Sequence, residues 1–200
     1  WCLRRAINAL KWMKSHAPKA LLEQNAKWSF DASVECPHWE SVAEGMYYPT
    51  LEGTLVFLQQ DGFMDKEQNM AADLDDSERP INQHWSWDRI LRSVYIKQAD
   101  TLQGLYFFED EFDEDTHRAN FAFYEPRTVH ESSLSPCVHA ILAAKLGMED
   151  KAVEMYLRTA RLDLDDYNRE AHQGLHITSM AGTWMSLVEG FGGYRVVDDV

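Results

Sequence analysis

The chain has 200 residues, enough for one domain with a substantial core, and a formal net charge of -14 at pH 7. With 33 acidic against 19 basic residues it has no basic stripe to neutralise a phosphate backbone, which excludes a nucleic-acid role. No long apolar run is present, so no membrane span is predicted. The three cysteines, Cys2, Cys36 and Cys137, are odd in number and lack metal-like spacing. They fit a reducing compartment, and a cytoplasmic address with no metal and no cofactor is expected. Seven Trp, eight Tyr and nine Phe give many rings of the kind that line sugar clefts, although such rings also simply fill large cores.

Helical spacing dominates the chain. Leu3, Ile7, Leu10 and Lys14 predict a helix over 2–15, before Pro18, and a second follows over about 19–28. A third is predicted over 38–46, after Pro37, with Trp39, Val42 and Met46 on one face. Gly53–Phe63 reads as extended, with a turn at Asp61-Gly62, and Asp73–Pro80 reads as a loop. Helices over 85–95 and 99–107 flank Lys97. The acidic run Glu109–Asp115 reads as a solvated loop, and Asp115 is placed to cap a helix reaching about Phe123. Helices over about 136–146, 149–162 and 179–189 complete the chain, and Tyr194–Val197 begins something strand-like. Too little alternation is present for a sheet, so the fold class is all-α, built from antiparallel helix pairs. Lys151–Asp166 looks like half of a tetratricopeptide repeat, but no second copy stands about 34 residues before it, as a repeat array requires. The opening at Trp1 inside an amphipathic pattern reads as a piece of a longer protein.

Two polar loops concentrate the chemistry. Tyr124–Ser135 holds Arg127, Thr128, His130, Glu131, Ser132, Ser133 and Ser135 ahead of Pro136, a residue favoured at the first position of a helix. Gly174–Trp184 repeats the pattern, with His176 before Thr178 and Ser179 and an apolar helix after them. A helix start presents unpaired N–H groups and the positive end of a dipole, which suits an oxyanion. The pair of loops therefore reads as one divided anion site. Taken singly, the same serines also read as ordinary helix caps and the histidines as hydrogen-bonded loop residues.

Tyr124-Glu125-Pro126, the run Thr128 to Ser135 and the segment Gly174 to Trp184 resemble glycoside hydrolase family 65, the family of inverting disaccharide phosphorylases. Tyr95 to Asp100, with its Lys97-Gln98 pair, and Gln60 to Phe63 agree with the same pattern. The resemblance spans nearly the whole chain and implies the second half of an (α/α)6 barrel, leading at its end towards a β-domain. It also implies that phosphate attacks the anomeric carbon of a maltose-like α-glucoside to give β-glucose 1-phosphate and glucose. Lys97 and Gln98 would then contact the transferred glucose, and Ser132, Ser133, His176 and Ser179 would hold phosphate, the co-substrate. Arg127 and His130 would orient or neutralise it, with Glu131 held by Arg127 or a backbone donor. The family's general acid, a Glu in an Asp-Glu-Tyr-type motif, lies before the helix that opens this chain, so no catalytic acid is assigned here. An inverting α-glucoside hydrolase and a non-catalytic helical interaction module remain as alternatives. Expected partners are the disaccharide and phosphate, with a homodimer of the full-length protein left open.

Overall fold

The computed structural model describes residues 1–196 and is all-α among them. Its contacts divide into two compact units, Trp1–Tyr48 and Pro49 onwards. In the first unit, α1 (Cys2–His16) packs on α2 (Pro18–Trp28) and α3 (Ala32–Glu44), with Ile7 and Leu21 buried. Helix α3 begins well before the predicted start. Asp31 caps it by accepting from the Ser33 N–H at 2.9 Å, and Pro37 lies inside it. A strong cap outweighs the single i→i−4 bond that proline removes so early in a helix.

The second unit contains α4 (Ile81–His84), α5 (Trp87–Arg92), α6 (Asp100–Phe107), α7 (Glu114–Tyr124), α8 (Ser135–Lys145), α9 (Glu149–Ala160) and α10 (Ile177–Met185). The last of these continues as a π-helix over Ser186–Phe191. Helix α8 is the centre: α6, α7, α9, α10 and the π-helix all pack on it. Its sequence is apolar on every side, and each residue from Ser135 to Ala143 is buried. Around it lie Phe63, Leu102, Leu105, Phe121, Tyr124 and Ala152, among others. A smaller cluster joins Leu74, Ile81, Tyr95 and Val129.

Several expectations are corrected. Gly53–Phe63 forms no strand, and its backbone instead meets buried side chains of α7. Asn120 accepts from Phe57 N at 2.9 Å and donates to Leu55 O at 2.8 Å, and the Tyr124 hydroxyl donates to Phe57 O at 2.6 Å. Gly62 does turn the chain there, at φ 72°. The helix predicted over 85–95 stops at Arg92, because Val94–Ile96 straightens to pair with the segment around Thr128. The acidic run is not wholly solvated: Glu109 is half-buried and ion-paired with Lys145 at 3.3 Å and with Arg195, while Asp113, not Asp115, caps α7. Tyr194–Val196 forms no strand, and Val197 lies outside the described residues. No helix among the described residues is long and apolar enough to cross a membrane.

Helix α10 approaches α8 at Gly182, where an added Cβ would stand 2.8 Å from the Cys137 Cβ. Gly104, inside α6, has open space instead. In the full-length protein, Gly104→Ala is expected to stabilise by about 0.5–1 kcal/mol through helix propensity. Gly182→Ala is expected to destabilise by about 1–3 kcal/mol through overpacking, despite the same gain in propensity. Thermal unfolding of the two variants should therefore shift in opposite directions.

Candidate active site

A two-residue parallel pairing builds the frame. Ile96 N donates to Arg127 O and Val129 N donates to Ile96 O, both at 2.9 Å. This sets Lys97, half-buried, and Gln98, exposed, beside the Thr128–Ser133 loop. Lys97 has no hydrogen-bond or ion-pair partner among the described residues, yet its charge acts on the Glu131 carboxyl.

The loop then turns at His130, which adopts φ 54° and buries its ring. His130 Nδ1 lies 3.1 Å from the Ser135 hydroxyl, and its ring stands edge-on to His139 at 4.4 Å. Burial, with the neighbouring His139 next, holds His130 well below the usual histidine range. Its Nδ1 is thus engaged inside the fold, beside Ser135. Ser135 is likewise a buried residue inside α8 and not its cap.

Arg127 is also committed to the fold. Its guanidinium lies 4.0 Å from the Phe123 ring centre and donates to Phe123 O at 2.6 Å and to Gln68 Oε1 at 3.3 Å. It does not hold Glu131. That carboxylate accepts from Ile81 N at 2.7 Å and faces the Arg79 guanidinium at 3.8 Å. Burial pushes the Glu131 carboxyl up, against the opposing pull of the Ile81 N–H, Arg79, Lys97 and Arg158. Beside it opens a cleft of about 460 Å³ lined by Arg79, Pro80, Glu131, Arg158, Tyr167 and Asn168, among others. Arg79 and Arg158 were not foreseen from the sequence. They carry no motif, and only the fold brings them to Glu131.

The two polar loops meet. Ser133 Oγ and Thr178 Oγ1 are 2.8 Å apart, which ties the start of α8 to the start of α10. Ser132 Oγ accepts from Leu134 N at 3.3 Å, which leaves its own proton to donate. His176, at the N-cap of α10, is fixed by Asp163: the backbone N–H donates at 2.8 Å and Nδ1 lies 2.6 Å from the carboxylate. Its Nε2 is 3.9 Å from Glu170. Ser179 departs from expectation. It is buried, and its hydroxyl donates to Thr159 O at 2.6 Å, so its one proton fastens α10 to α9. The fold thus joins Ser132, Ser133 and His176 through the Ser133–Thr178 contact and sets Lys97 near Glu131. Arg127, His130 and Ser179 each hydrogen-bond within the fold.

Residues 1–185 match the central catalytic domain of glycosyl hydrolase family 65. The chain belongs to that family. It is 56% identical over 199 residues to the maltose phosphorylase of Bacillus subtilis (strain 168), covering 100% of this chain and 25% of that protein. It is 36% identical over 194 residues to the alpha,alpha-trehalose phosphorylase of Thermoanaerobacter brockii, covering 97% of this chain and 25% of the relative. A solved human-microbiome protein, provisionally assigned as a kojibiose phosphorylase, superposes with a TM-score of 0.85 at 37% identity, over 98% of this chain and 27% of that one. The chain thus spans about a quarter of the length of the relatives it matches. It is all-α and matches a helical-barrel portion of a phosphorylase of family 65.

His139 gives the site region a testable pH signature. Burial holds its pKa down at about 3 from 6.5, and neither ring nitrogen has a partner. An unfolded histidine takes up a proton below about 6.5 while the folded one does not, so stability falls as pH drops from there towards about 3. In His139→Phe the lost ring nitrogens leave no broken hydrogen bond, and this sensitivity is removed. Melting temperatures of wild type and variant, followed from pH 8 to pH 5, should move in the variant's favour as pH falls. A constant difference would contradict the neutral buried ring.

Proposed function

We propose that the full-length protein carrying this chain catalyses inverting phosphorolysis of a maltose-like α-glucosyl disaccharide, giving β-glucose 1-phosphate and glucose. The observation that carries the reading is the Ser133–Thr178 hydrogen bond, which makes one polar surface of two loops that each open a helix. On that surface Ser132, Ser133 and His176 donate to phosphate oxygens, and the helix starts add their N–H groups and dipoles. Lys97 offers three N–H donors to sugar hydroxyls, and Gln98 adds a donor and an acceptor. Ser179, Arg127 and His130 are given no direct part in this reading: the Ser179 proton goes to Thr159 O, Arg127 donates to Phe123 O, and His130 Nδ1 meets Ser135. A phosphate oxygen forms the new bond to the anomeric carbon as the bond to the leaving oxygen breaks. The proton reaches that oxygen from a general acid that is not assigned among these residues.

Because the chain is strongly acidic, phosphate gains nothing from its overall field, and binding must come from these local donors. Glu131 fits this arrangement because Ile81 N and Arg79 already engage its carboxylate. The high identity to a maltose phosphorylase favours maltose over other linkages. The three cysteines are unpaired, which accords with a cytoplasmic address.

The test uses the full-length protein with maltose, trehalose, kojibiose and nigerose, with and without inorganic phosphate. Maltose should turn over only when phosphate is present, releasing β-glucose 1-phosphate. Turnover that ignores phosphate would replace this reading with hydrolysis. Lys97→Ala should lower kcat/KM by about ten- to a hundredfold, the worth of one charged hydrogen-bonding contact of about 1.5–3 kcal/mol. His176→Ala should impair phosphorolysis and the reverse reaction by a similar factor, because glucose 1-phosphate places its phosphoryl group at the same spot.

A further inference from the structure

His176 is gripped twice by one side chain. Asp163 lies in the loop between α9 and α10 and is largely buried. One of its oxygens accepts from the His176 backbone N–H at 2.8 Å, and the other lies 2.6 Å from Nδ1. An ionised carboxylate only accepts, so the ring must donate from Nδ1. The other nitrogen is constrained in two ways. The ring plane is fixed, which aims Nε2 away from Asp163. In addition, with Nδ1 donating to Asp163, Nε2 is the ring nitrogen left to meet a ligand. A second carboxylate, Glu170, stands 3.9 Å from Nε2. Hydrogen bonds from His176 also draw the Asp163 carboxyl below the usual range although burial pushes it up, so it stays an acceptor near neutral pH.

We infer that Asp163 is the positioning residue of the phosphate site, fixing the backbone and ring of His176 so that Nε2 is the nitrogen presented to the oxyanion. This rests on the reading of His176 as a phosphate ligand. Asp163 touches neither phosphate nor sugar and acts through the imidazole. The pairing resembles the way a carboxylate behind a metal-binding histidine fixes its tautomer and ring orientation.

Asparagine in place of Asp163 keeps the size but has one acceptor oxygen and an NH₂ group. It places an acceptor at only one of the two positions that meet the backbone N–H and Nδ1–H. The experiment uses the full-length protein and determines kcat and KM for phosphate and for disaccharide separately. The variants are Asp163→Asn, Asp163→Glu, His176→Ala and the Asp163→Asn/His176→Ala double variant. Asp163→Asn should raise the phosphate KM about tenfold and leave the disaccharide KM unchanged. Asp163→Glu, which restores a carboxylate, should recover most of the loss. In the His176→Ala background, Asp163→Asn should add nothing further to the phosphate KM. If His176→Ala raises the phosphate KM and Asp163→Asn does not, the positioning role is overturned while the phosphate reading stands. Equal rises in both substrates' KM with a lowered melting temperature would also overturn it, as a purely structural contact. If His176→Ala itself leaves phosphate kinetics at wild-type values, the phosphate reading fails and the inference falls with it.

Discussion

Helix α8 has no face in water along Ser135–Ala143, and this burial governs everything around it. Each large apolar side chain sunk there contributes about 1.5–3 kcal/mol, so the helix is fixed in position and rotation by all of its neighbours at once. Its N-terminus is therefore a fixed point, and the Thr128–Ser133 loop that feeds it inherits that rigidity. The polar residues in this core obey the same constraint. His139 is tolerated because it stays neutral, and His130 is drawn in beside it with its Nδ1 against Ser135. The outcome is a loop whose backbone turns at His130 and then carries Ser133 and Leu134 out towards solvent.

Around that fixed loop the polar side chains divide according to where their hydrogen bonds go. Arg127 closes on Phe123 O and Gln68, Ser179 on Thr159 O, and Glu131 on Ile81 N. Most of these contacts join segments far apart in the chain, and each removes a donor or acceptor from the available surface. Ser132, Ser133, His176 and Lys97 keep donor capacity, and they belong to the two loops and the paired segment that face one another. In a chain this acidic, such a local concentration of donors is what an anion requires.

Much of this was legible in the sequence, for definite reasons. Helices such as α1 and α9 carry clean apolar stripes, and Pro136 marks the start of α8 within a residue. The pairing of the two His-and-hydroxyl loops was readable from their repeated pattern, and the family from the residues within them. Pro37 misled because its cost is small near a helix start and Asp31 supplies a cap. Gly53–Phe63 misled because Asn120 and Tyr124 satisfy a backbone that would otherwise need a neighbouring strand. The parts of the site that stayed hidden, Arg79, Arg158 and Asp163, act through partners that only tertiary packing supplies. The internal contacts of Arg127, His130 and Ser179 were equally hidden, because a linear motif does not show where a side chain's hydrogen bonds go.

The most direct test of the divided phosphate site is a crystal structure of the full-length protein with bound phosphate. The account predicts an anion within hydrogen-bonding distance of the Ser132 and Ser133 hydroxyls and of His176 Nε2, with Asp163 still on Nδ1 and Ser179 still bound to Thr159 O. A phosphate held instead by Arg127, His130 or Ser179, or bound away from both loops, would contradict it.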